Sequence, residues 1–220
     1  MVAGDLVYIR PTLRNASDTV GMTVTGGQTW NSPTARQGNT LTSYGFYCIY
    51  NGTWAADPTF DGGSNASGAL TIFGSVFRPT SGFAISLDVA EEWATFTAPS
   101  GPPYDVTRAG QTATASSVTI AEFCTTNELR DWTLQTGGWV NAGNPEYGNT
   151  TGTGLSISRA YLIQASGGAT GSVVNRQDSS INGAASIITF KETAVAGQPT
   201  FIRGRGVIGM NHRSLFGRGF

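Results

Sequence analysis

The amino-acid sequence predicts an all-β chain folded as one β-sandwich, and three observations predict it. Charged residues make up only 12% of 220, while glycine alone counts 30, and much of the remainder is Ser, Thr and Asn. Those residues suit turns and the solvent faces of strands better than helix interiors. The hydrophobic residues, 39% of the chain, fall in short β-rich runs bounded by Gly, Pro, Asn and Ser. The runs also recur in the same order in the two halves of the chain. Aromatic residues at 10% and a net charge of −1 exclude the composition of a disordered chain. The length suits a single all-β domain.

The strand signals occupy residues 5–10, 19–25, 42–50, 69–77, 84–89, 117–123, 154–165 and 185–191. In the first, Leu6, Tyr8 and Arg10 share one face and Val7 and Ile9 the other, and either parity can face a core. Residues 42–50 are dense in aromatics. Residues 158–163 are apolar on both faces at their end, as in a sandwich interior. Strands at this spacing, with turn signals between them, point to a sandwich or barrel. Residues 87–94 and 122–131 are the only helix-permissive stretches, each long enough for a single turn.

The repeat is the most informative feature. GDLVYIRPTL (4–13), GGQTWNSP (26–33), LTSYGFYCIYNGTW (41–54) and GALTIFGSVFR (68–78) are answered by four later runs. These are SVTIAEFCTT (117–126), GGWVNAG (137–143), LSISRAYLIQASGG (155–168) and GAASIITFK (183–191). The offset is 112 positions from Leu6 to Val118 and 109 from Trp30 to Trp139. A period of half the chain means two similar strand sets sharing one core, since a solenoid needs several short repeats. Gly-Gly before Trp30 and before Trp139 marks a turn that each Trp anchors.

The residues carry little recognisable chemistry and point to no catalytic residue, cofactor site or metal site. Nucleophilic triads need a base beside the nucleophile, and the only histidine, His212, lies outside the repeat. There is no phosphate-binding loop, dinucleotide fingerprint or HExxH. The Gly-rich runs 62–68 and 148–154 read as hairpin loops, because neither leads into a helix. Glu91–Glu92 beside Trp93, or Asp57 with Asp61, can be a glycosidase-like carboxylate pair or merely solvated loop acids. Asp57, Asp61 and Asp88 match no calcium-loop spacing. Cys48 and Cys124 sit in apolar runs and read as buried free thiols. Trp93 and Trp132 have no counterpart in the repeat and are the candidate glycan-stacking residues.

The order AGDLV (3–7), GGQTW (26–30), an aromatic strand ending in GTW (44–54), an apolar strand ending in Arg-Pro (78–79), then the repeat at 117–165 resembles a known family. It is the jelly-roll-type β-sandwich family of structural proteins in tailed bacteriophages and prophages. The resemblance covers residues 1–192, and it implies a virion component, either a capsid decoration protein or a tail or fibre domain. It departs from the family in starting at the AGD motif and in the segment beyond Glu192. The implied partners are the major capsid protein or tail proteins, together with other copies of the chain. A receptor glycan is the alternative. With no leader pattern and no apolar run of membrane-span length, the expectation is a soluble product made in the host cytoplasm and carried in the virion.

Residues 193–220 form a second unit, a C-terminal arm. A linker-like AVAGQP precedes FIRGRGVIGMNHRSLFGRGF, whose four arginines (Arg203, Arg205, Arg213 and Arg218) have no acid among them. The other 200 residues carry nine basic groups and all 14 acids, a net of −5. A basic, aromatic-tipped segment on an acidic body reads as a docking arm. Its apolar anchors would be Phe201, Ile202, Leu215, Phe216 and Phe220. The alternative is a last core strand at 200–203 followed by a loose end. Nucleic acid is not an expected partner, because the Arg-Gly run is brief and the body acidic.

Overall fold

A computed structural model of the chain describes residues 1–14, 19–31, 36–62, 70–126, 131–143 and 154–195, and the backbone of 146–147 and 213–214. The described residues form strands and no helix. The first sheet is centred on β1 (Leu6–Leu13), flanked by β5 (Phe46–Ile49) on one side and β7 (Leu70–Phe77) on the other. The hairpin of β3 (Arg36–Gly38) and β4 (Leu41–Ser43) continues the β5 side. The second sheet is centred on β11 (Ser117–Thr125), between β15 (Leu155–Gln164) and β18 (Gly183–Ala194). Beyond β18 lies β8 (Phe83–Phe96), and beyond β15 lie β13 (Val140–Gly143) and β14 (Glu146–Tyr147).

Three small sheets complete the fold. They pair β2 (Gly21–Val24) with β6 (Thr59–Asp61), and β10 (Thr112–Ala113) with β16 (Gly168–Ala169). The third sets β17 (Val173–Gln177) between β9 (Tyr104–Arg108) and β12 (Trp132–Leu134). Last, β19 (Arg213–Ser214) pairs with β7.

The two large sheets pack face to face. Leu6, Tyr8 and Phe77 of the first meet Val118, Ile120, Ile188 and Phe190 of the second. Each sheet is also covered on its outer face. Val7, Ile9, Cys48 and Val76 lie beneath Trp30, Trp54 and Phe60. Phe123, Ala160 and Ile187 lie beneath Val106, Trp132, Val173 and Trp139. Consequently β1 and β11 are buried at every residue, and the choice of parity for β1 has no single answer. From β1 to β18 the chain completes its strands of the first sheet before it crosses at residues 78–82 to the second, and only β19 returns to the first. The sandwich is therefore present with a sequential connectivity, unlike the alternation of strands between sheets in a jelly roll.

Corresponding strands share a register. Leu6 lies opposite Ile49 and Phe77, and Val118 opposite Ile163 and Phe190. Asn31, next to Trp30, bridges to Tyr47, while Val140, next to Trp139, pairs with Tyr161. Residues 87–94, helix-permissive by sequence, lie inside β8, which pairs with β18 from Phe83–Ala194 to Phe96–Gly183. That ladder outweighs a weak local helix preference. Of the other such stretch, residues 122–125 belong to β11, 126 and 131 are not helical, and 127–130 fall outside the described residues.

The aromatic strand is tied into the outer layer through Phe46, 6% exposed, whose ring centroid lies 5.4 Å from Phe60 and 6.0 Å from Tyr44. Phe46→Ala is expected to cost about 3 kcal/mol, read as a lowered thermal midpoint. An unchanged midpoint would put this ring outside the packed structure.

Candidate functional site

The carboxylate found by sequence at Glu91 leads into the sandwich. Arg10 lies on the inward face of β1 with Leu6 and Tyr8. It meets Glu91 from β8 and Glu122 from β11, and Arg159 from β15 closes the group. Arg10 Nη1 donates to Glu91 Oε1 and, at 3.0 Å, to the Tyr8 hydroxyl, while its Nε donates to Ser43 Oγ at 2.7 Å. Arg10 Nε also lies 3.3 Å from Glu122 Oε2. Arg159 donates to Glu122 Oε1 from Nε at 3.1 Å and Nη2 at 2.7 Å, to Ser75 Oγ at 2.7 Å and to the Phe73 carbonyl at 3.0 Å. Its guanidinium stacks 4.8 Å from the Tyr8 ring centroid and 4.2 Å from that of Phe73.

Two arginines and two glutamates thus balance inside the protein. Burial alone would lower the Arg10 pKa, but the Glu91 carboxylate, with Tyr8 and Glu122, overrides it and holds the pKa well above its usual value. Burial pushes the Tyr8 phenol well above its usual range, so the hydroxyl keeps the proton it donates to Glu122 Oε2 at 3.3 Å. The carboxyl-bearing side chains are 1% exposed at Glu91 and 3% at Glu122, which makes this cluster a tie between the sheets. Glu91 is therefore not a solvated loop acid. Glu92 points the other way, 54% exposed, and accepts from Arg108 Nη2 at 2.8 Å, so the neighbouring pair does not flank a common space.

The remaining acids are dispersed. Asp57 accepts from Trp54 Nε1 at 3.2 Å. Asp61 lies on β6, and Asp88 accepts from the Thr114 amide at 2.6 Å beside Lys191 Nζ at 3.2 Å. No group of three metal-ligating side chains occurs among the described residues. Cys48 and Cys124 are free and buried, and burial pushes both thiols up to about 12.

The two candidate glycan residues separate. Trp132 is 3% exposed, its Nε1 donates to Ser156 Oγ at 2.9 Å, and its ring lies 5.8 Å from Phe123. It is a core residue of the third layer, facing the second sheet with no face left for a sugar. Trp93 is half-buried against Leu41, Phe73 and Leu155, with the Arg10 guanidinium 5.3 Å from its ring centroid. Its Nε1 is buried and meets no acceptor among the described residues.

A surface of a different kind runs along the outer side of β7. One side of this strand is paired with β1 over all eight residues. On the other, among the described residues, only Val76 and Ser75 are paired, with Arg213 and Ser214. At the end of β7 a cleft of about 330 Å³ opens between Val2, Asp5, Arg78, Pro79 and Phe83. Apolar side chains line it, with Val2 51% exposed and Phe83 36%. The Val195 amide donates to the Gly82 carbonyl at 2.9 Å, so the chain leaves for its arm from the rim of this cleft.

In the cleft floor Asp5 accepts from Arg78 Nε at 3.0 Å and Nη2 at 3.1 Å, and from the Val2 amide at 2.8 Å. Burial alone would raise the Asp5 pKa, but these bonds and the Arg78 charge bring it below the usual value. A depressed folded-state pKa contributes stability that is present above the unfolded pKa and lost as pH falls through the folded one. Asp5→Asn should lower the thermal midpoint at neutral pH, with a gap from the parent that narrows below the carboxylate range. A gap of constant size from pH 7 to pH 3 would rule out this linkage.

The arm residues Phe201, Ile202, Arg203, Arg205, Leu215, Phe216, Arg218 and Phe220 lie outside the described residues, as do 63–69 and 148–153 of the Gly-rich loops. Arg213 is described by its backbone alone. Sequence reasoning missed the Arg10–Glu91–Glu122–Arg159 cluster. The available signal was Arg10 on the same face as Leu6 and Tyr8. Comparison with protein-family models, curated proteins and solved structures found no match to this chain.

Proposed function

We propose that the chain is a non-enzymatic structural component of a tailed-phage particle, a capsid decoration or tail or fibre protein working through protein–protein contacts. The observation that carries this reading is the meeting of a basic arm with an open sheet edge. The arm bears four arginines and no acid, the rest of the chain has a net charge of −5, and arm backbone pairs with β7. Open edges are natural sites of strand addition, with main-chain hydrogen bonds giving affinity and side-chain pockets giving specificity. The central strands of both large sheets are buried on both faces from within the chain, so partners meet the edges, the poles and the outer strands. The motif order from AGDLV onward supports the particle assignment.

We also read the two sheets as copies of one ancestral unit. The matched registers around Leu6 and Val118, and the matched placing of Trp30 and Trp139, support that reading. The glycan alternative keeps only Trp93 of its two residues, and no observation favours it over contact with protein. Mass spectrometry of purified particles tests the proposal: a fixed copy number of this chain per particle is the expected result. Its absence from particles made in cells that express it would overturn the assignment.

A further inference from the structure

Resting on that reading of a contact-making chain, we infer that the outer edge of β7 and the cleft at its end accept residues 196–220 of a second copy. Copies would then join by exchanging their arms. The pairing of Arg213 with Val76 and Ser214 with Ser75 is antiparallel, so arm backbone fits this edge in a defined register. The remaining outer edge of β7, from Leu70 to Gly74, has no strand partner among the described residues. Strand addition here would give the first sheet a new edge strand made by a neighbour.

The tether puts both chains within reach. Val195 is held at Gly82, only six positions along the chain from Val76, yet 17 residues separate Val195 from Arg213. Extended, those residues span roughly 56 Å, far more than closure onto the same domain needs. An arm this long meets its own edge and a neighbour's through identical contacts, the condition under which exchange costs little. The tethered arm competes at an effective concentration in about the millimolar range, so exchange gains ground as copies crowd together, as they do on a particle. Charge favours the same partner, since an arm with four arginines meets a body of net −5. Val2, Phe83 and Val195 offer apolar contact at the pole where the arm's Phe201, Ile202, Phe216 and Phe220 need it.

The test uses the full chain with Val76→Cys and Arg213→Cys, a directly opposed pair, oxidised at about 10 μM, far below the effective concentration of the tether, and at about 1 mM, comparable with it. The native Cys48 and Cys124 are 0% and 4% exposed and do not compete. The expected result on a non-reducing gel is mainly internally linked monomer at the lower concentration and linked dimers and longer ladders at the higher. Internal links alone at both concentrations would overturn exchange, and no link at all would overturn β7 as the acceptor. Val76 is nearly buried, so light scattering on the unsubstituted chain repeats the measurement without disturbing it. There the mean mass should rise with concentration and fall with added salt, and a constant monomer mass would overturn the proposal. Exchange in solution by a chain that purified particles lack would sink the particle assignment and leave the exchange standing.

Discussion

Replacing Glu122 with alanine is expected to destabilise the protein by about 3–5 kcal/mol, the range for a broken buried ion pair. Glu122 is the only carboxylate within reach of Arg159 among the contacts described, and it also lies against Arg10 and the Tyr8 hydroxyl. Its removal leaves the Arg159 charge, 0% exposed, with only the neutral Ser75 hydroxyl and Phe73 carbonyl as partners and no counter-ion. For a chain of this size the loss should lower the thermal midpoint by roughly 6–20 °C. The double substitution Arg159→Met with Glu122→Leu should recover most of it, because removing both charges also removes their desolvation penalty, while Arg10 keeps Glu91. A single-variant loss below about 1 kcal/mol, typical of an exposed pair, would mean that water reaches the cluster.

Phe190→Ala should be as damaging. Phe190 is 0% exposed on β18, and its ring stands edge-on to Tyr8 at 6.3 Å and to Tyr47 at 5.0 Å. These contacts join the two large sheets, so truncation opens a cavity at their junction. Phe→Ala in a core costs about 3–5 kcal/mol, a large share of the about 5–15 kcal/mol that holds a domain folded. Leu87, which pairs with Phe190 on the neighbouring strand and is 38% exposed, provides the internal comparison, and Leu87→Ala should change little. Urea unfolding with an unchanged slope and a large drop in midpoint for Phe190→Ala alone is the expected pattern. Equal midpoints for the two variants would place the junction elsewhere.

Much of the candidate docking site was legible as composition and little of it as geometry. The basic, acid-free arm stands out in the residues alone. That its backbone at 213–214 pairs with β7 depends on which strand has an open edge, and edges are defined only once the sheets have formed. Trp132 read as a free aromatic because its run, DWTL, carries no sign of the sheet it packs against. It stands on β12 of the β9–β17–β12 sheet and packs down onto Phe123 and Ser156 of the second large sheet, with β9 and β17 arriving from opposite sides in sequence. Glu91 read as a surface acid because Ala-Glu-Glu-Trp is a helix-compatible, polar run. On β8 alternate side chains point to opposite faces, which sends Glu91 inward and Glu92 to solvent.

The residues alone determined the class of fold and where most strands lie, because turn chemistry and β-rich runs are local properties. The burial of Cys48 and Cys124 was equally local, each within an apolar run. Only the tertiary structure decided which faces are covered, since cover comes from distant segments. Alternation in β1 cannot mark a solvent face when none exists, and its Arg10 finds Glu91 across 81 positions and Tyr8 finds Glu122 across 114. A charge enters a core only where its counter-charge is already waiting there. That pairing is a property of two sheets meeting, and neither strand displays it by itself.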